Sequence, residues 1–182
     1  MKGILYFDSK YGTTEKISRW IASEIKHDIY IKLINKSERA KGYYDFYILG
    51  TPVYIGKPTE NFLEFIDKNK GVFINKPLFL FINSWAESTV FKNECNNFIE
   101  LIKFHLEPAV TVMDKSLPGK LIMNKISSRD RGALKRLLRR IDSKSEEFNS
   151  EKVDFNDQTD EVTSKKFGCE INEYLKNKSN IF

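Results

Sequence analysis

The stretch Ser9-Lys10-Tyr11-Gly12-Thr13-Thr14 sets aliphatic hydroxyls around a single glycine, between an apolar run, Gly3-Ile4-Leu5-Tyr6-Phe7, and an amphipathic pattern, Ile17, Trp20, Ile21, Ile25. Read as strand, turn and helix, it has the chemistry of an anion site. A helix N-terminus leaves several backbone N–H groups without intrahelical partners and carries a partial positive charge. Hydroxyls beside those groups complete a ring of donors around a phosphate without needing a lysine. The G-x-x-x-x-G-K-[ST] spacing of a triphosphate-binding loop is absent. The same residues also admit a plainer role, with Ser9 and Thr13 simply capping the helix. The local sequence leaves both readings open.

The elements that must position this turn are legible from periodicity. Apolar runs at 3–8, 29–34, 45–50, 77–83 and 109–113 read as strands, and helix-like patterns fall at 13–26, 59–69 and 88–105. The second helix shows Phe62, Phe65 and Ile66 on one face, with Thr59 as its predicted N-cap after Pro58. The third shows Phe91, Cys95, Phe98, Ile99, Ile102 and Leu106 on one face. Runs such as Leu78-Phe79-Leu80-Phe81-Ile82 are apolar without alternation, as expected where helices cover both faces of a parallel sheet. Strands alternating with helices predict one doubly wound α/β domain over residues 1–182. An insert at about 114–160 breaks the alternation before a last helix at about 161–177.

Ligands of open α/β sheets bind beyond the carboxyl ends of the strands, where the winding reverses. The phosphate-type turn already lies there. So do two loops, Gly50-Thr51-Pro52-Val53-Tyr54-Ile55-Gly56-Lys57-Pro58 and Asn83-Ser84-Trp85-Ala86-Glu87, each bearing an aromatic. A flat, apolar, polar-rimmed ligand with a phosphate tail suits that edge, and flavin mononucleotide (FMN) is such a ligand.

On these residues the chain resembles the flavodoxin family over nearly its whole length. The resemblance implies a five-stranded parallel sheet of order 2-1-3-4-5, with a basic segment inserted near the last strand. It implies that Ser9, Lys10, Tyr11, Gly12, Thr13 and Thr14 hold the FMN phosphate through backbone and hydroxyls. Thr51, Pro52, Val53, Tyr54, Ile55 and Gly56 would pack on the flavin ring and meet its N5 edge. Asn83, Ser84 and Trp85 would line the other side and the pyrimidine end. Tyr54 and Trp85 are the stacking candidates, and Gly56 tolerates either sign of φ, which would let its peptide reorient toward N5. Within the family the chain is more similar to the menaquinone-dependent protoporphyrinogen oxidase branch. The extra segment before the last helix carries that likeness, with its stretch Pro118-Gly119-Lys120-Leu121-Ile122-Met123-Asn124-Lys125-Ile126-Ser127. Where that branch places an arginine and a tyrosine ahead of the second-loop glycine, this chain has Tyr54-Ile55.

Composition bounds the remainder. Residues 114–144 carry ten Lys/Arg against three Asp/Glu, and residues 145–182 carry five against nine. The basic block includes an amphipathic pattern, with Leu134, Leu137, Leu138 and Ile141 opposite Arg131, Lys135, Arg136, Arg139 and Arg140. Leu121–Ile141 is thus a candidate contact with an anionic membrane surface, where a quinone would be met; the plainer role is a helix packed on the domain with wet arginines. Nucleic acid is not expected as a partner, since aromatics are not interleaved with the charges and no recognition motif is present. No signal peptide or spanning segment is evident. Cys95 and Cys169 form no CxxC and have no ligand-like cluster with His27 or His105, so free thiols, a cytoplasmic setting and no metal are expected. The expected function is an FMN-dependent oxidoreductase passing electrons from a porphyrinogen-like substrate to a quinone. The alternatives are a flavodoxin-type carrier serving redox proteins, or a cofactor-free domain of the same fold. No catalytic acid or base is expected, because the chemistry would be the flavin's.

Overall fold

The structure, a computed structural model, describes residues 1–88, 92–122, 127–128, 131–132 and 155–179. The chain runs β1 (Lys2–Phe7), α1 (Thr13–Ser23), β2 (Asp28–Leu33), β3 (Phe46–Pro52), α2 (Glu60–Phe73) and β4 (Leu78–Ser84). A 3₁₀ turn (Trp85–Ser88) leads to α3 (Glu94–Leu106), β5 (Met113–Pro118), β6 (Lys120–Ile122), β7 (Phe155–Asp157) and α4 (Glu161–Ser179). Strands β1 to β5 form one parallel sheet of order β2-β1-β3-β4-β5, and β6 and β7 form a separate antiparallel pair. The strand order that the resemblance implies is the observed one.

Two cores follow from the two-residue period of the central strands, which sends neighbouring side chains to opposite faces. Ile4, Tyr6, Tyr47, Leu49, Leu80 and Ile82 face α2 and α3, where Phe62, Phe65, Phe73, Ile99, Ile102 and Leu106 meet them. Leu5, Phe7, Phe46, Ile48, Phe79 and Phe81 face α1 and α4, against Ile17, Ile21, Phe167, Ile171 and Leu175. Aromatic rings also fill space that glycines leave in the sheet. Gly3 pairs in register with Phe46, and Gly50 with Phe81. A Cβ on either glycine would fall 2.1 Å or 2.2 Å from the partner's ring.

Three expectations are corrected. The fifth strand lies at Met113–Pro118, not at 109–113. The apolar run there is the turn after α3, with Val110 78% exposed, while the strand itself is a half-covered sheet edge and reads as polar. The third helix begins at Glu94, later than residue 88, and Phe91 lies outside the described residues. Thr59 does occupy the N-cap of α2, but its hydroxyl caps no helix amide. Most of the basic segment 121–141 also lies outside the described residues.

Helices α1 and α4 approach closely at Gly168, where a Cβ would lie 2.3 Å from the Ile21 carbonyl oxygen. Gly168→Ala gains about 1 kcal/mol of helix propensity, but the overlap with backbone costs about 1–3 kcal/mol or more. We expect a lower urea unfolding midpoint at unchanged slope; an unchanged or raised midpoint would refute this packing.

Candidate cofactor site at the carboxyl edge of the sheet

The ladder extends past the strands to draw their loops together. Asp8 N donates to Gly50 O at 2.9 Å, Val53 N to Asn83 O at 2.9 Å and Gly119 N to Ser84 O at 2.9 Å. The ends of β1, β3, β4 and β5 are therefore fixed relative to one another by backbone alone.

The first loop turns at Gly12, whose φ of +85° is the left-handed conformation that a glycine adopts at little cost. Gly12 N donates to Ser9 Oγ at 3.1 Å, so Ser9 closes the turn. No side chain caps α1, which excludes simple capping as the role of Ser9 or Thr13. Thr14 is 1% exposed, and its Oγ1 has no hydrogen-bond partner among the described residues. Helix amides without caps, beside a buried hydroxyl without a partner, form the donor set that an anion requires.

The second loop is a miniature hairpin. Val53 bridges Pro58, Tyr54 N donates to Lys57 O at 2.8 Å, and Ile55 and Gly56 form the tip with φ of +52° and +75°. A β-branched residue in this region costs on the order of 1–3 kcal/mol, and such strain concentrates at functional sites. Beneath the hairpin, Thr59 donates to Asp8 Oδ2 at 2.5 Å and lies 3.2 Å from the Thr51 hydroxyl. Asp8 Oδ1 accepts from Ser9 N at 3.0 Å. Both Asp8 oxygens are thus held by protein donors and tie the first loop to the start of α2.

The third loop continues from β4 through Asn83 and Ser84 to the half-buried Trp85. Ser84 Oγ accepts from Ala86 N at 3.1 Å and starts the 3₁₀ turn. Asn83 is 4% exposed, and its Oδ1 also has no partner among the described residues. A buried polar atom left unsatisfied costs about 1–3 kcal/mol. Two of them, at one edge, one at the start of α1 and one at the end of β4, fit a bound molecule that offers both a phosphate acceptor and a donor for the amide oxygen. The residues present therefore suit FMN.

A fourth segment was not singled out from sequence as part of the site. Gly119 packs so closely on the Ser84–Trp85 backbone that a Cβ would fall 2.8 Å from Ser84 C. Gln158 N donates to Gly119 O at 3.2 Å, and Gln158 Oε1 is buried without a partner among the described residues. In the sequence Pro118-Gly119 carries only the branch resemblance, and nothing there marks Gln158. Aromatic contacts join the first two loops: the Tyr11 and Tyr54 hydroxyls are 3.2 Å apart, and Lys10 Nζ lies 4.0 Å from the Tyr54 ring centroid. Cys95 is a buried free thiol and Cys169 an exposed one, and no metal-binding cluster occurs among the described residues. His105 Nδ1 lies 3.0 Å from Asp67 Oδ1 and joins α3 to α2, away from the site.

A winding reversal, an uncapped helix start and converging aromatic loops define an α/β protein whose sheet edge offers the donors that a phosphate-bearing ligand requires. The chain belongs to the flavodoxin domain family, whose model matches residues 4–149. A flavodoxin from the domain Archaea superposes with a TM-score of 0.56 at 15% identity, over 97% of this chain and 99% of that one. Oxidised flavodoxin 1 from Bacillus cereus gives 0.51 at 20% identity, over 80% of this chain and all 100% of that one. A flavodoxin from Streptococcus pneumoniae TIGR4 gives 0.50 at 15% identity, with the same coverages of 80% and 100%. At such identities the likeness establishes the fold. Among curated proteins no sequence matches.

The fourth segment is anchored by Asp157, which accepts from Thr159 Oγ1 at 2.7 Å and from Lys120 Nζ at 2.9 Å. Burial works to raise its carboxyl pKa, but the Thr159 and Lys120 hydrogen bonds outweigh that and hold it at about 2, below the ordinary 3.8. The folded-state pKa is depressed, so the stabilisation is fully present above 3.8 and is lost as pH falls through about 2. Urea unfolding should show Asp157→Asn less stable than wild type at neutral pH, with the gap closing through that window. A gap of constant size down to pH 2 would contradict the assignment.

Proposed function

We propose that this chain is an FMN-dependent redox protein that accepts electrons from one partner and passes them to another. The observation that carries the reading is the pair of buried polar atoms without a partner among the described residues, Thr14 Oγ1 and Asn83 Oδ1, at the edge where the loops after β1, β3 and β4 converge. FMN supplies reversible one- and two-electron chemistry when bound. The chain's residues bind and orient it. Thr14, Thr13, Ser9 and the amides at the start of α1 hold the phosphate, with Lys10, Tyr11 and Gly12 shaping that loop. Thr51, Pro52, Val53, Tyr54, Ile55 and Gly56 cover one side of the ring. Asn83, Ser84 and Trp85 cover the other and meet its polar end. The strained Ile55-Gly56 tip presents its peptide groups at the N5 edge.

The finer reading is an oxidase that takes electrons from a porphyrinogen-like substrate and delivers them to a quinone. Support comes from the insert that follows β5 beside the third loop, and from the resemblance in Pro118–Ser127. On this reading the protein is cytoplasmic, and its basic segment Leu121–Ile141 rests on an anionic membrane face where quinone dissolves. Among the described residues no helix is long and apolar enough to cross a membrane. The second reading, a carrier that exchanges electrons with redox proteins, draws support from the family and from the flavodoxins that the fold matches.

Titration of the apoprotein tests the site. Wild type should bind FMN at one equivalent and bind riboflavin more weakly. Thr14→Val should weaken FMN on the order of tenfold or more, the worth of a hydrogen bond to a charged group. It should leave riboflavin unchanged, and equal losses for both ligands would remove Thr14 from the phosphate site. The oxidase reading is tested by anaerobic mixing of FMN-loaded protein with protoporphyrinogen and a menaquinone analogue. Quinone-dependent appearance of fluorescent protoporphyrin above a no-protein control would support it. A bound, reducible flavin without turnover would leave the carrier.

A further inference from the structure

The phosphate loop sends two side chains toward the second loop. Lys10 Nζ sits 4.0 Å from the centroid of the Tyr54 ring and 5.6 Å from that of Tyr11. The two tyrosine rings are tilted at 49° with centroids 6.0 Å apart, and their hydroxyls lie 3.2 Å apart. A cation over one face of a tyrosine is attracted by the ring's negative face. A hydroxyl contact at the ring's far end restricts its rotation. Together they hold Tyr54, a residue beside the hairpin tip, in one orientation before any ligand arrives. Lys10 thus lies over one face of the ring.

Resting on the FMN reading, we infer that the side chains of Lys10 and Tyr11 serve the flavin ring rather than the phosphate. They are positioning residues for Tyr54, and Lys10 in addition sets the redox preference of the site. Reduced FMN carries more negative charge than oxidised FMN, so a fixed ammonium on the far side of the stacked tyrosine stabilises the reduced form more. The phosphate is left to Thr14 and the uncapped amides of α1, which need no lysine. Tyr11 carries no charge at its hydroxyl contact. Its contribution is orientation, felt equally in both redox states.

The two roles separate in a titration of apoprotein with oxidised and with dithionite-reduced FMN, repeated with riboflavin, for wild type, Lys10→Met, Lys10→Arg and Tyr11→Phe. All three substitutions are on a surface loop. Lys10→Met should lower the preference for reduced over oxidised ligand roughly tenfold, ~30 mV for a two-electron couple. The loss should be the same with riboflavin as with FMN, and Lys10→Arg should retain the wild-type preference. Tyr11→Phe should weaken both redox states alike, with either ligand. A Lys10→Met preference within about twofold of wild type, or a loss confined to FMN and equal in both redox states, would return Lys10 to the phosphate and overturn the inference. Failure of wild type to bind either ligand would instead overturn the functional reading, and this inference with it.

Discussion

The burial of the central strands on both faces displaces the loops that can bear chemistry to the ends of the sheet. Strands β3 and β4 are buried along almost their entire length, from Phe46 to Thr51 and from Leu78 to Ser84. A charged or unpaired polar group within that slab would cost several kcal/mol. Parallel pairing then sends the carboxyl ends of all five strands the same way, so the loops that can bear chemistry meet where the slab ends. Backbone hydrogen bonds from Asp8 to Gly50, from Val53 to Asn83 and from Gly119 to Ser84 carry the ladder over that boundary. The site inherits its rigidity from the sheet and its polarity from the fact that the sheet has stopped.

That boundary explains what could be read in the sequence. The three inner strands, β1, β3 and β4, announce themselves as apolar runs, because a strand covered on both faces has no polar alternation to confuse with anything else. The edge of the sheet is less legible. Met113-Asp114-Lys115-Ser116-Leu117-Pro118 is a strand only because β4 offers it a ladder, and its side chains are half wet. The more apolar run before it is a solvent-facing turn, so hydrophobicity pointed four residues too early. The helix after the third loop was also placed too early, since a 3₁₀ turn at Trp85–Ser88 precedes it and α3 starts at Glu94.

The site divides in the same way. Loops that directly follow a recognisable strand could be placed by counting: Ser9 to Thr14, Thr51 to Gly56 and Asn83 to Trp85 all come to the predicted edge. Side-chain partnerships between loops could not. Nothing local says that Thr59 would leave its helix amides uncapped to donate to Asp8. Nor does any motif bring Gln158 back to Gly119 across an insert of more than thirty residues, for which the tertiary contact is the only signal.

The Asp8–Thr59 bond changes the electrostatics of the first loop. A carboxylate beside an anion site would repel its ligand, at about 4 kcal/mol for unit charges 4 Å apart near a protein surface. Here one Asp8 oxygen takes the Ser9 amide and the other the Thr59 hydroxyl, so both are turned to protein donors and hold the loop to α2. The start of α2 gives up its side-chain cap to make this possible. The turn can therefore keep an acidic residue at its base while presenting amides and hydroxyls at its rim. What this edge offers an anion is set chiefly by the donors left without a partner among the described residues. On the first and third loops those are the uncapped start of α1 and Thr14, with Asn83 as the matching acceptor.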